Sequence, residues 1–223
     1  MKLFLTSGGL RNPSMHAKLL ELLPKPIEEC TALMVSLPSF GHKNGPWGAY
    51  RFYTGSFQTP MTELGWGKLG ALELSALSAL PREHWTPWIE EADIIMVNGG
   101  DALFLAHWMR ACNFADVVRA YPDKVYLGLS GGSMVMTPAI GRDFMSWQPP
   151  SGSDEALGLV PFAIFPHLDH PDLPENTTAD AYRWAETMSV PCYLLEDDCG
   201  IVIADGVTEV VGDGRWELVN RDK

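Results

Sequence analysis

The run Val125-Tyr126-Leu127-Gly128-Leu129 is apolar and leads into Ser130-Gly131-Gly132, so residues 128–132 fit the pattern G-x-S-x-G. In that pattern a buried strand turns sharply into a helix with the serine at the apex. Glycines flank it because the strained turn leaves no room for side chains. The hydroxyl is then exposed, and the N–H of the next residue, Gly131, points to where an oxyanion would form. A serine nucleophile also needs a base within hydrogen-bond reach and a third group to orient that base. Of the six histidines, His16 and His107 fall on predicted helices, and His42 and His84 fall in loops. His167 follows the run Phe162-Ala163-Ile164-Phe165-Pro166, at the carboxyl end of a strand, as Ser130 does. Those ends line the site of an open α/β sheet. His170 is its neighbour and competitor. For the acid, the turn Glu196-Asp197-Asp198 offers a carboxylate, and Glu155 is a second candidate. In Asn98-Gly99-Gly100-Asp101, Gly100 offers a backbone N–H at a helix start as the second oxyanion donor, while Asp101 can cap that helix. His167, Asp169 and His170 could also resemble a small metal site. The prolines and the short spacing deny them a shared helical face, so no metal is assigned.

The elements that would hold these residues alternate between strand and helix. Residues 2–6 read as a strand closed by Ser7-Gly8-Gly9. Ser14 can cap a helix over 15–23, which Pro24 and Pro26 stop. Residues 31–37 are apolar on both faces, as a strand of a covered parallel sheet would be. The stretch 40–66 is rich in glycine and aromatics, with Trp47, Tyr50, Phe52, Tyr53, Phe57 and Trp66, and reads as a long excursion forming a wall or lid over a site. In 69–80 composition favours a helix, but the alternation asks for a strand near 71–74, and the strand is chosen. A short helix at 85–91, a buried strand at 93–97 and a helix at 102–111 precede the strand that carries Ser130, after which Met134-Val135-Met136 begins an apolar helical face. Residues 159–165 form another apolar run, 176–188 a helix, and 192–195, 200–204 and 208–211 a closing meander. The expected architecture is a doubly wound, mostly parallel α/β sheet in a single domain over residues 1–223.

Length and composition narrow the function classes. The chain has 223 residues, 46% hydrophobic and 20% charged, which is ordinary globular usage. Lys and Arg number 16 against 28 Asp and Glu, a net charge of −12. Nucleic acid and anionic membrane surfaces would be repelled, and no basic run makes a local exception. The cysteines, Cys30, Cys112, Cys192 and Cys199, form no C-x-x-C pair and read as free thiols of a reducing cytoplasm. The first apolar run is too short for a signal peptide or a membrane span.

Three segments together resemble one family. Val97-Asn98-Gly99-Gly100-Asp101-Ala102-Leu103-Phe104-Leu105 is similar to its "GGNTF-L" joint, Gly128-Leu129-Ser130-Gly131-Gly132-Ser133 to its "GxSAGS" elbow, and Phe165-Pro166-His167 to its "NPH" segment. The family is peptidase E, the aspartyl dipeptidases, with cyanophycinase more distant. The order and spacing match over residues 5–214, nearly the whole chain. The resemblance implies a flavodoxin-like sheet, related to that of class I glutamine amidotransferases. It implies a serine peptidase acting on a dipeptide or small peptide-like amide through an acyl-enzyme, with no metal or organic cofactor; the expected partners are a small peptide and, for assembly, a second copy in a homodimer. By match, Ser130 is the nucleophile, His167 the base and Asp197 the third member, with Glu155 at the position of a rival acid. Gly100 and Gly131 would form the oxyanion hole. Asp101 replaces an asparagine, and Gly131 replaces an alanine, which would loosen the elbow. The arginine that sets aspartyl preference falls at Tyr182, with Arg183 next to it, so a substrate-binding role stays open between these two. The 40–66 excursion is not typical of the family. Together with Asp101 it motivates an alternative, a catalytically silent protein that binds a small ligand on the same fold.

Overall fold

Five parallel strands frame the molecule, each ending at the same edge of one sheet. They are β1 (Lys2–Thr6), β2 (Thr31–Val35), β3 (Lys68–Ala71), β4 (Ile94–Val97) and β5 (Val125–Leu129). The computed structural model describes residues 1–43, 45–56 and 61–223. Three further strands, β6 (Ala163–Phe165), β7 (Cys192–Leu195) and β8 (Cys199–Ala204), are followed by β9 (Val207–Gly212) and β10 (Trp216–Val219). The larger sheet has seven strands in the order β3-β2-β4-β5-β1-β8-β9, with β8 and β9 antiparallel; the smaller has three, β10-β7-β6, with β6 and β7 parallel. β4 and β5 are buried along their full length, because helices cover both faces of the sheet.

The helices are α1 (Pro13–Leu22), α2 (Leu37–Phe40), α3 (Gly45–Tyr53), α4 (Leu74–Leu77), α5 (Thr86–Glu91), α6 (Ala102–Ala111), α7 (Phe114–Ala120), α8 (Gly131–Met134) and α9 (Thr178–Thr187). Met15 and Leu19 of α1 and Phe52 of α3 pack on one face of the larger sheet with Phe4, Met96 and Leu127. Leu74, Ile89, Leu105 and Val117, from α4 to α7, pack on the other with Leu5, Ile95 and Tyr126. The chain therefore winds outward from β1 to β3 under one face and returns to β5 under the other, which leaves a crevice at the strands' carboxyl ends.

Several local expectations need correction. α1 starts at Pro13, not Met15, and its cap is Asn12, whose side chain accepts from Met15 N at 3.0 Å; Ser14 instead donates to that same Asn12 oxygen. β2 stops at Val35 because Pro38 opens α2. The 69–80 stretch is both things in turn, edge strand β3 and then the single turn α4, so the strand at 71–74 was placed too late. The helical face expected after Ser130 ends at Met134, after one turn. The closing meander is split between two sheets: β7 pairs with β6 and β10, while β8 and β9 extend the larger sheet beside β1. The turn 196–198 thus crosses from one sheet to the other. α7 and β10 had no counterpart in the sequence reading. The excursion over 40–66 is partly ordered helix, α3, with Phe52 and Trp66 buried and Trp47 and Tyr50 exposed; Phe57 lies outside the described residues.

Candidate active site

The elbow is as strained as its sequence suggests. Ser130 has φ 50° and ψ −112°, a conformation L-residues seldom adopt. It persists because its neighbours over-determine it. Ser130 N donates to Thr6 O at 3.0 Å, tying the turn to β1, and the buried Tyr126 hydroxyl donates to Gly132 O at 2.6 Å. The three glycines are required by contact. A Cβ on Gly128 would lie 2.6 Å from Gly132 O, one on Gly132 2.5 Å from Val97 O, and one on Gly131 2.2 Å from Gly100 O. The expectation that Gly131 loosens the elbow is thus reversed: the backbone of Gly100 fills the space a methyl would need.

Ser130, His167 and Asp197 converge. His167 Nε2 is 2.8 Å from Ser130 Oγ, and His167 Nδ1 is 2.5 Å from Asp197 Oδ1. Each residue follows a strand's carboxyl end: β5, β6 and β7. His167, at φ 58°, is held by its own N–H, which donates to Ser7 Oγ at 2.7 Å. Ser7, fully buried at the end of β1, in turn donates to Leu195 O at 3.2 Å and reaches Asp197 Oδ1 at 3.4 Å. On its far side, Asp197 Oδ2 meets Arg11 at 3.3 Å and His170 Nε2 at 3.5 Å. Burial alone would push the Asp197 carboxyl upward. The hydrogen bond from His167, with the neighbouring His170 and the Arg11 guanidinium, outweighs it and holds the group below its ordinary value. Asp197 is therefore a carboxylate at neutral pH, suited to orient an imidazole and stabilise its charged form.

Gly100 sits at φ 135°, and a Cβ there would meet Pro38 O at 2.3 Å, so only glycine fits between α2 and the elbow. A Cβ position on Gly131 lies 3.2 Å from Gly100 N, so the two amides are neighbours. Among the described residues neither N–H donates a hydrogen bond. Asp101, the departure that argued against catalysis, is turned away. Its Oδ1 accepts from Phe104 N at 2.8 Å as the cap of α6, and its Oδ2 accepts from Ser146 Oγ and Trp147 N, each at 2.6 Å. That buried carboxylate pins the segment after the elbow to the helix.

Other expected residues do not join the cluster. Glu155 is exposed, bridged to Ala139, with its carbonyl accepting from Arg110; β7, not this loop, brings the acid to His167. Tyr182 bonds Glu217. Arg183 does line the cavity around Ser130, but it pairs with Asp180. Asp169 is engaged by Thr178 and Arg215, and among the described residues no group of three His, Cys, Asp or Glu could hold a metal ion. Sequence reasoning missed Ser7 and Arg11. Their only signal was position, just past the end of β1, in a turn that read as mere punctuation. The cavity that holds Ser130 and His167 measures about 880 Å³, ample for a small ligand.

The profile of peptidase family S51 matches residues 3–211. The chain belongs to peptidase family S51. Its curated relatives in that family include proteins named Peptidase E: one from Shewanella baltica, 29% identical over 147 residues (64% of this chain, 58% of the relative), and one from Streptomyces coelicolor, 31% identical over 139 residues (60% and 52%). The matched stretch spans little more than half the length of each. Among solved structures, a candidate peptidase E from Listeria monocytogenes EGD-e superposes with a TM-score of 0.68 at 18% identity, covering 94% of this chain and 96% of that one. A peptidase from an acI-B1 actinobacterium gives 0.70 at 16%, covering 100% and 95%. At such identities the likeness establishes the fold, a mostly parallel α/β sheet. No helix among the described residues is long and apolar enough to cross a membrane.

Proposed function

We propose that this S51 chain is a serine peptidase that hydrolyses a dipeptide or another short peptide-like amide through an acyl-enzyme. The observation that carries the reading is the unbroken line from Ser130 Oγ through both nitrogens of His167 to Asp197 Oδ1, at 2.8 and 2.5 Å. With Asp197 accepting from Nδ1–H, the lone pair of Nε2 faces the serine. His167 takes the hydroxyl proton as Ser130 Oγ bonds to the substrate carbonyl carbon. The carbonyl oxygen, now negative, is received by the N–H groups of Gly100 and Gly131. The C–N bond then breaks, and His167 Nε2 returns its proton to the leaving amine. A water molecule, deprotonated by the same nitrogen, attacks the ester and releases the acid, restoring Ser130. The strained φ of Ser130 supports the role, since such strain is retained where the neighbours hold a side chain for use.

Ser130→Ala is the test. Loss of the nucleophile in a triad typically lowers kcat by about 10⁶. A dipeptide library should be turned over by the parent chain and not by the variant, and a fluorophosphonate should label the parent alone. Undiminished turnover by the variant would overturn the reading.

A further inference from the structure

Helix α3 brings an aromatic pair to the rim of the Ser130 cavity. Trp47 lines that cavity yet is 63% exposed, and Tyr50, one turn on, is 56% exposed. Their rings lie parallel, 5.4 Å between centroids at 13°. On the other side of α3, Ala49 and Phe52 are buried and dock the helix on the sheet. α3 therefore buries one side against the core and carries Trp47 to the mouth of a cavity. Single exposed apolar residues need no explanation, but a stacked, solvent-facing pair at a cavity rim does.

The pair is fixed to the oxyanion turn. Asn98 Nδ2 donates to Ser39 Oγ at 2.8 Å and to Gly48 O, the residue after Trp47, at 3.4 Å. Asn98 Oδ1 accepts from Gly99 N at 2.8 Å, and Ser39 Oγ donates to Gly99 O at 3.2 Å. Buried Asn98 thus connects the backbone of α3 to the residue before Gly100. The backbone that carries the indole is tied to the turn that carries Gly100. Elsewhere the cavity is lined by Phe144 and Phe165, packed edge to face at 5.1 Å. Among the described residues three guanidinium groups line it: Arg183 faces the carboxylate of Asp180, Arg11 faces those of Asp197 and Asp198, and Arg51 donates through Nε to Ser56 O at 3.3 Å.

We infer that Trp47, backed by Tyr50, is a specificity-determining platform that receives an aromatic side chain of the substrate, so that the preferred substrates are short peptides with an aromatic residue beside the scissile amide. The inference rests on the serine peptidase reading for the reaction but not for the binding. An indole face gives a flat ring a stacking surface without a polar partner, and the carboxylates beside Arg11 and Arg183 make those cations poor receivers of an acidic side chain.

Binding and turnover are measured separately, with Phe-Ala, Ala-Phe, Asp-Ala and Ala-Ala. In the Ser130→Ala chain, calorimetry should find at least one phenylalanine dipeptide bound about tenfold more tightly than Ala-Ala and Asp-Ala. Adding Trp47→Ala should remove that preference, and adding Trp47→Phe should keep most of it. Trp47 is exposed, so the substitution leaves the core alone. With Ser130 present, Trp47→Ala should raise KM for the phenylalanine dipeptide about tenfold and should raise KM for Ala-Ala by clearly less. Equal binding of all four, preference for Asp-Ala, or a preference that survives Trp47→Ala overturns the inference. A Trp47-dependent preference with no turnover of any dipeptide by the parent chain would sink the peptidase reading and leave the platform standing. Turnover that ignores Trp47 would do the reverse.

Discussion

Asp197→Asn is the substitution that most directly weighs the proposed role of Asp197 as the acid behind His167. The carboxylate accepts from His167 Nδ1 at 2.5 Å and also faces Arg11 and His170. An amide in its place keeps the shape. If its NH₂ turns to His167, Nδ1 must become the acceptor, the imidazole proton moves to Nε2, and the nitrogen facing Ser130 no longer has a lone pair to take a proton. In a serine triad that tautomer error costs kcat a factor of about 10⁴. The fold should survive, since Arg11 retains Asp198 at 3.3 Å; the loss of one charge-assisted bond amounts to about 1–3 kcal/mol. Steady-state kinetics and urea unfolding on the same preparation separate the two effects. The pH dependence gives an independent check. Asp197 is held below its ordinary value of 3.8, so its ionised form favours the folded state. That contribution is present above about pH 4 and is lost as pH falls through the folded value. The stability gap between parent and variant should therefore narrow in acid. Glu155→Gln is the control and should leave kcat within about twofold. If Asp197→Asn keeps kcat within about tenfold of the parent, or Glu155→Gln loses it instead, the assignment of the acid is wrong.

Further outcomes follow from single contacts. Gly131→Ala places a methyl 2.2 Å from Gly100 O, so it should separate the two amides proposed as oxyanion donors and lower kcat by about 10² to 10³, although the substitution is small; turnover of a scissile dipeptide measures it. Ser7→Ala removes the acceptor for His167 N and should cost about 1–3 kcal/mol in urea unfolding together with a fall in kcat, whereas a lost core contact alone would leave kcat unmoved. Burial pushes the thiols of Cys112, Cys192 and Cys199 up to about 11. At pH 8 iodoacetamide should leave all three unmodified in the folded chain and alkylate them in denaturant; mass spectrometry of the digests decides it.

The residues that the fold brings together were legible because each has a backbone reason to be where it is. G-x-S-x-G announces a strained turn, and a histidine or carboxylate just past an apolar run announces a strand end. Ser130, His167, Gly100 and Gly131 could therefore be named from local pattern. Asp197 could be narrowed only to a short list, since an acidic turn in an acidic chain has no distinguishing signal. The helix at 102–111 was read with its bounds intact, because Asp101 caps it through a contact three residues away. The 69–80 stretch was misread because an edge strand and a one-turn helix each bury too little to impose a period on the sequence.

What the sequence determined by itself is the alternation of strand and helix, the turn that exposes a hydroxyl and the supply of candidates for the other roles. Tertiary structure decided the rest. It chose Asp197 over Glu155, because β7 parallel to β6 sets the two turns side by side. It engaged the second oxygen of Asp101 with Ser146 and Trp147 and made Ser7 the prop beneath His167. It also seated Trp47 on the cavity rim through Asn98. Each of those outcomes depends on contacts between residues 30 to 190 positions apart. Local periodicity carries no record of such pairings, which exist only once the strands have found their order.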